Sequence, residues 1–292
     1  MTTLIPLPPL ETAPLFPALS RSLIALLRSL EPADWDRPTV AGAWRVRDVA
    51  AHLLDVSLRK VSGHRDGHSA PLESPIASYA DIIALIQRLN AGGVVFGVRL
   101  SPRVLTDLLE VSGQWVSEFV ASLDPEAMAL HGVAWAGEMQ STNRFDTARE
   151  FTEHWHHQMQ IRDAVGVRGD AGALLAREFY VPFLETSLRV LPHAYAHAYA
   201  HAYAEVNPGE EIAVELSCSD LDLAWTLRRE GEAWVVYRGV VESPTARVRG
   251  AADQLWRLFF NALPLERARA LFVLQGPNEL VEPLLRSRSV MV

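Results

Sequence analysis

A short stretch near the middle of the chain limits most strongly what the rest can fold into. Phe151–Gly166 reads FTEHWHHQMQIRDAVG and places three histidines and a glutamate in what we predict to be one helix. Residues four apart on a helix project from the same face, so Glu153 and His157 form a candidate metal-ligand pair. The same spacing joins Glu150 to His154, and geometry alone therefore offers two candidate faces.

A divalent ion needs at least one further ligand, and one helix presents only a narrow arc of side chains. The natural donor is His52, in a second helix predicted over about Arg45–Val61. His52 lies at the edge of the apolar stripe of that helix, and periodicity by itself does not single it out. An isolated Glu-x-x-x-His pair is also common as a surface ion pair.

Composition narrows the class of protein. A chain of 292 residues favours two domains. Its net charge of −8 argues against nucleic-acid binding, which needs clustered lysine and arginine, and no segment is apolar enough for a membrane span. The N-terminus does not resemble a signal peptide, and the lone cysteine, Cys218, excludes an internal disulfide. We therefore expect a cytoplasmic protein in which Cys218 is a packed thiol and not a nucleophile.

The N-terminal half reads as a series of helices. The periodicity of apolar residues predicts helices over Leu15–Leu30, Arg45–Val61, Tyr79–Asn90, Pro102–Leu123 and Arg144–Val165. Ser101 followed by Pro102 is a standard helix start. A helix with one apolar and one ligand-rich face suits the interior of an antiparallel bundle, where metal sites are built from facing helices.

The sequence changes character at Gly166–Gly172, which holds three glycines and predicts a domain boundary. We place the N-terminal domain at residues 1–168 and the C-terminal domain at residues 169–292. The second domain is predicted to contain a helix over Ala173–Leu191, strands over Glu211–Cys218, Leu221–Arg228, Ala233–Tyr237, Thr245–Val248 and Arg269–Leu274, and helices over Ala252–Leu263 and from Asn278. Helices packed against an antiparallel sheet make this an α+β domain.

His193–Ala204 repeats the unit HAYA three times. On a helix its histidines would lie roughly in a row and could chelate a metal. The interpretation that we favour is a repeat expansion tolerated at a surface connection.

Two segments together resemble a known family. GAWRVRDVAAHLLDVSLRK and FDTAREFTEHWHHQMQIRDAVG resemble the DinB-like metal-dependent superfamily, in particular the mycothiol-dependent maleylpyruvate isomerase group. The resemblance implies an all-α four-helix bundle as the N-terminal domain. It also implies a divalent metal bound by His52, Glu153 and His157, with His154 and His156 as additional histidines. The segments LAWTLRREGEAWVVYRG and ADQLWRLFFNAL resemble the smaller sterol-carrier-like domain that these proteins append.

Two imidazoles and one carboxylate would leave a zinc-like ion with an open position, as in catalytic sites. We expect zinc, with nickel as the second choice. An ion of this kind activates water or an external thiol. The expected function is metal-dependent S-transfer to, or cis-trans isomerisation of, a small electrophilic substrate with a low-molecular-weight thiol such as mycothiol. The sequence is also compatible with a homodimer. The alternatives are a lipid- or small-molecule-binding protein with a non-catalytic metal, and a metal-dependent hydrolase.

The sequence leaves the roles of several neighbouring residues open. Asp55 is either an outer partner of a metal ligand or an exposed carboxylate, the latter being favoured. Glu150 is either a general base or the buried partner of an arginine such as Arg149 or Arg162. Trp44 and Trp155 are expected in the core, and no catalytic or thiol-binding residue is assigned.

Overall fold

The computed structural model describes residues 4–68, 71, 75–166, 174–207 and 209–290. The described chain forms two compact units. The helical unit comprises Glu11–His131 and Ser141–Phe179, and the sheet unit comprises Met1–Leu10, Gly132–Gln140 and Tyr180–Met291. The boundary predicted between residues 168 and 169 lies outside the described residues and stays a prediction.

In the described part of the helical unit there are five long helices, and their ends follow local sequence signals. They are α1 (Phe16–Arg28), α2 (Val46–Lys60), α3 (Tyr79–Gly97), α4 (Pro102–Ser122) and α5 (Asn143–Val165), with a π-helical turn at Val61–Arg65 directly after α2. The side chain of Ser101 accepts a hydrogen bond from the Val104 amide, so the predicted start of α4 is confirmed. Thr142 caps the start of α5, and Gly166 ends it at a φ of 76°, a conformation that glycine adopts without strain.

Apolar side chains of α1, α2, α4 and α5 form the core that holds the two site-bearing helices, α2 and α5, in place. The predicted apolar stripe of α5 is confirmed, because each of its members is at most 8% exposed: Phe145, Ala148, Phe151, Trp155 and Met159. Helix α3 approaches α2 closely through Gly97, where an added Cβ would stand 2.1 Å from the Cβ of Ala51. Among the described residues, none of the helices combines the length and apolar character that a membrane crossing requires.

The sheet unit is built on a mixed sheet with helices. Its strands are β1 (Ile5–Pro6), β2 (Ala213–Cys218), β3 (Leu223–Glu230), β4 (Ala233–Arg238), β5 (Ala246–Gly250) and β6 (Val273–Gln275), in the order β1-β4-β3-β2-β5-β6. The remaining helices begin with α6 (Arg177–Ser187), α7 (Val190–Tyr195) and α8 (Ala198–Val206), and continue with α9 (Ala252–Phe259), α10 (Leu265–Leu271) and α11 (Asn278–Arg286). The expectation of an antiparallel sheet is wrong in one pairing, because β2 and β5 run parallel, with Val214 opposite Ala246.

Three local predictions need correction. Half of the strand predicted over Arg269–Leu274 is the end of α10, and its last two residues, Val273 and Leu274, lie in β6. Short apolar runs do not distinguish a helix from a strand. The helix predicted over Ala173–Leu191 is divided into α6 and α7, and Ala173 lies outside the described residues. The HAYA repeat forms parts of the helices α7 and α8 and is not an irregular connection. Its histidines His193, His197 and His201 are exposed, whereas Tyr195 is fully buried and donates its hydroxyl proton to the Leu280 carbonyl.

Candidate metal centre

Three side chains on two antiparallel helices of the helical unit converge on one point. His52 projects from α2, and Glu153 and His157 project from adjacent turns of α5. Within the part of the chain that the structure describes, they are the one group of three or more His, Cys, Asp or Glu residues whose ligand atoms all lie within 4.8 Å of one another. The structure thus brings together the three residues named from the sequence, and metal binding by them stays a prediction.

Two of the three separations between the candidate ligand atoms are close to those of a coordination sphere. Oε1 of Glu153 lies 3.1 Å from Nε2 of His52 and 3.2 Å from Nε2 of His157. Ligand atoms bonded at about 2.0–2.1 Å to a tetrahedral ion stand about 3.3 Å apart. The donor set and these two separations are therefore compatible with an ion of the size of zinc.

The proton on His157 supports the same interpretation. Nδ1 of His157 lies 2.7 Å from Oε1 of Gln160. A carboxamide oxygen only accepts hydrogen bonds, so Nδ1 carries a proton, and Nε2 is the ring nitrogen that faces Glu153. Nε2 of His157 and Oε1 of Glu153 lie 3.2 Å apart, a separation that a shared proton or cation stabilises. The contact is therefore suited either to a shared proton or to a metal ion.

Electrostatics keep two of the candidate ligands, His52 and Glu153, in the protonation states that bind metals. Burial, followed by the charge of His157, lowers the pKa of His52, which is 2% exposed. Burial alone would raise the pKa of Glu153, but hydrogen bonds from His157 and His52 outweigh it and hold that pKa well below its ordinary value. At neutral pH Glu153 is a carboxylate and His52 is neutral, which are the protonation states that ligate divalent ions.

Two aromatic neighbours shape the surroundings of the cluster. The ring centroid of Trp44 lies 4.9 Å from that of His52 and 6.2 Å from that of His157, so the indole covers one side of the imidazoles. Trp44 is half-buried and belongs both to the margin of the core and to the site. Trp155, by contrast, is fully buried.

The additional histidines occupy other positions. His156 donates from Nδ1 to the Thr152 carbonyl at 2.8 Å. Burial lowers the pKa of His156 to about 3. His154 lies 3.5 Å from Glu150 on the second candidate face of α5. This pair gathers no third ligand atom among the described residues.

Glu150 instead belongs to a buried charge cluster beside the metal centre, which we define as Lys60, Asp146, Arg149 and Glu150. Nζ of Lys60 lies 2.5 Å from Asp146, and both side chains are at most 5% exposed. Arg149 donates to Asp146 at 3.1 Å and to Glu150 at 2.9 Å. Of the two arginines considered for Glu150, the structure pairs it with Arg149.

Among the described residues, Asp55 makes no hydrogen bond to His52, Glu153 or His157. It accepts one from Nε of Arg59 at 2.8 Å, and Arg59 also donates to Asn90 at 2.9 Å. The arginine therefore links α2 to α3 and holds Asp55 on that side of α2. The residue that contacts a ligand from behind is Gln160, which sequence reasoning missed, although its position three residues after His157 is the spacing at which helical side chains meet.

Cys218, in the sheet unit, has the character of an inert thiol. It is 3% exposed, and its Sγ donates to Asp220 at 3.2 Å. Burial, together with the Asp220 carboxylate, raises the pKa of Cys218 to about 12. It is therefore protonated at neutral pH and does not act as a nucleophile.

The fold and the site together define a helical protein with a candidate metal centre of two imidazoles and one carboxylate, joined to a unit with a mixed sheet. The family described as the mycothiol maleylpyruvate isomerase N-terminal domain matches residues 16–162, half of the chain. The chain belongs to this family.

Solved structures show a similar fold. The crystal structure of the mycothiol-dependent maleylpyruvate isomerase is 14% identical in sequence, covers 93% of this chain and 95% of its own, and superimposes with a TM-score of 0.51. A histidine-to-alanine mutant of that enzyme gives the same identity and coverage with a TM-score of 0.49. No protein with a curated description matches the sequence.

Proposed function

We propose that this protein is a metal-dependent enzyme that uses a low-molecular-weight thiol, mycothiol, to isomerise a small cis-unsaturated acid. The observation that carries the proposal is the convergence of His52, Glu153 and His157 on one point inside the helical unit. Membership in the family supports the choice of thiol and of reaction type. The reaction named for the similar crystal structure, maleylpyruvate isomerisation, supplies the test substrate.

The proposed metal is zinc, with nickel as its competitor, because two imidazoles and one carboxylate form a donor set of catalytic zinc sites. When bound, such an ion lowers the pKa of a coordinated thiol and makes its sulfur nucleophilic at neutral pH. His52, Glu153 and His157 would hold the ion. Trp44 would limit the access of water from one side, since its ring lies against both imidazoles.

The thiol has to come from outside the chain. Cys218 is the single cysteine of the sequence, and burial and the Asp220 carboxylate raise its pKa to about 12. In the proposed reaction the external thiolate adds to one carbon of the cis double bond, and the electron pair moves into the adjacent carbonyl. The resulting single bond rotates. Return of the electron pair expels the same thiolate and leaves the trans double bond, with no net oxidation or reduction.

Turnover of maleylpyruvate by the zinc-reconstituted protein, with and without mycothiol, tests the proposal. We expect isomerisation that needs the thiol, is abolished by a chelator and is lost in His52→Ala. A matched control is His193→Ala combined with His197→Ala, which removes a pair of exposed histidines whose ring centroids lie 4.9 Å apart in the sheet unit. This control should keep full activity.

Two outcomes would contradict the proposal in different ways. Turnover of an electrophilic substrate without any thiol would favour the metal-dependent hydrolase. Tight binding of a hydrophobic ligand, with metal bound and no turnover of any substrate, would favour a binding protein with a non-catalytic metal.

Several broader features belong to the same proposal. We propose a four-helix bundle of the DinB type as the N-terminal domain, a sterol-carrier-like C-terminal domain, a homodimer and a cytoplasmic location. The helical packing around α2 and α5 supports the first of these. The net charge of −8 supports a small-molecule substrate over a nucleic-acid partner.

A further inference from the structure

The hydrogen bonds at Nδ1 of His52 and His157 differ from those of most metal-binding histidines. A histidine that binds a metal through one ring nitrogen usually donates the proton of the other nitrogen to a carboxylate, a carbonyl or water. Behind His157 this acceptor is the side chain of Gln160, at 2.7 Å. Behind His52, Nδ1 is buried and has no hydrogen-bond partner within the described residues.

Gln160 is placed to fix the ring of His157. It lies three residues later on α5 and is 3% exposed, so its side chain has little freedom to leave the contact. The amide oxygen can only accept, which forces the proton of a neutral His157 onto Nδ1 and leaves Nε2 for a ligand. Without this acceptor, the two tautomers of the ring would compete, and only one of them presents Nε2 to a metal.

The charge of this outer shell is also unusual. A carboxylate behind an imidazole makes the ring a stronger electron donor and reduces the positive charge of the centre. Gln160 is neutral, and among the described residues no side chain accepts from His52 Nδ1. Glu153 is then the single formal negative charge among the ligands and their outer partners. A divalent ion bound here would keep a net positive charge of about one unit, which favours an anion in its open position.

We propose that Gln160 is a positioning residue that selects the metal-binding tautomer of His157. Its neutral amide keeps the centre cationic, so that the open position prefers an anionic ligand such as a thiolate. The inference rests on the proposed function, because it concerns the same metal centre.

Zinc affinity tests the positioning role. Gln160→Met keeps the length of the side chain and removes the acceptor, and it should weaken zinc binding by about 10–100-fold, the effect typical of losing an outer-shell partner. Gln160→Glu restores an acceptor and should bind zinc at least as tightly as the wild type. Gln158→Met is the matched control, because Gln158 is also buried on α5 but donates to the Leu19 carbonyl; its zinc affinity should not change. Competition with a chromophoric chelator measures all four proteins.

Binding of 2-mercaptoethanol to the cobalt-substituted protein tests the charge. Thiolate coordination to cobalt gives a sulfur-to-metal absorption band, which a purely structural role of Gln160 would not alter. We expect Gln160→Glu to bind the thiolate several-fold more weakly than the wild type, since the added carboxylate would neutralise the centre. This arm decides the charge argument even if Gln160→Met does not fold.

The outcomes separate this inference from the proposed function. If wild-type protein binds no stoichiometric zinc, the proposed function fails. If the wild type binds zinc and folded Gln160→Met binds it equally well, or if Gln160→Glu does not restore the affinity, the positioning role is wrong. Equal thiolate affinity in Gln160→Glu and wild type would overturn the charge argument.

Discussion

The interiors of the two units place buried charge in different ways. In the helical unit, the buried charge cluster of Lys60, Asp146, Arg149 and Glu150 continues along α2 and α5 from the candidate metal centre. In the sheet unit, one buried carboxylate, Glu185, accepts hydrogen bonds from Arg238 at 2.7 Å and from Trp225 at 3.1 Å.

This difference in buried charge affects the free energy of unfolding of the helical unit. Buried charges cost free energy unless each is well paired, and a network of them next to convergent ionisable side chains is typical of a functional site. Glu185 has the character of a structural residue, because its carboxylate accepts hydrogen bonds from Arg238 and Trp225. If this distinction is right, disrupting charge in the helical unit should cost more than disrupting it in the sheet unit.

The largest effect is expected at Lys60. Lys60→Met removes one partner of a pair whose side chains are at most 5% exposed, and should lower the free energy of unfolding by about 3–5 kcal/mol. Urea denaturation of the metal-free protein, followed by circular dichroism, measures the change. Lys60→Met combined with Asp146→Asn should recover most of the loss. If the free energy of unfolding of Lys60→Met lay within about 1 kcal/mol of the wild-type value, the two units would not differ in how much their buried charges matter.

A smaller effect is expected at Arg238. Its side chain is 43% exposed, so water can partly replace it beside Glu185, and Arg238→Met should cost about 1.5–3 kcal/mol, typical of hydrogen bonds to a charged group. Arg247→Met is the control. Arg247 is similarly exposed, at 42%, and contacts Glu215 at a longer 3.4 Å, so its loss should cost at most about 1 kcal/mol. If the two variants lost the same free energy of unfolding in urea, burial of Glu185 would not strengthen its pairing with Arg238.

The pH dependence of stability provides a third test. Burial raises the pKa of Asp146, but Arg149 and Lys60 outweigh it and hold that pKa below its ordinary value of 3.8. The stabilisation is therefore fully present above the unfolded-state value and is lost as the pH falls through the folded-state value. We expect Asp146→Asn to flatten the acid side of the stability curve relative to the wild type below about pH 4. Parallel curves for the two proteins would contradict the assigned shift.

The smallest effect is expected at the surface of the helical unit. Arg28 and Glu110 approach within 2.6 Å, but each is about half exposed. Arg28→Ala should change the free energy of unfolding by at most about 1 kcal/mol, and by less in high salt. A loss comparable to that of Lys60→Met in the same assay would mean that burial does not set the scale.

Local chemistry predicted the helices well. Ser101 with Pro102 marked the start of α4, and the apolar spacing of α5 marked its buried stripe, because both signals involve residues within a few turns of each other. The strand predicted at Arg269–Leu274 was wrong for its first half, which is the end of helix α10.

Local sequence signals could not predict contacts between residues that are far apart in the sequence. The N-terminal strand β1 pairs with β4, and β2 pairs with β5 in parallel, although neither pairing leaves a mark in the local sequence. Lys60 meets Asp146 because α2 and α5 take one particular axial register, which is a property of packing.

The candidate site was predictable in part. The spacing of Glu153 and His157 follows from one helix, but the choice of His52 came from resemblance and not from periodicity. Gln160 could have been found from its three-residue distance to His157. Its role depends on which ring nitrogen carries the proton, which a sequence does not specify.

Stoichiometric zinc binding tests the central claim most directly. Purified metal-free protein is titrated with zinc, and bound metal is counted by mass spectrometry for the wild type, His52→Ala, His157→Ala and the His193→Ala/His197→Ala control. The account predicts one tightly bound ion per chain in the wild type and the control, and none in the two single variants. Zinc retained equally by all four proteins, or bound by none of them, would contradict it.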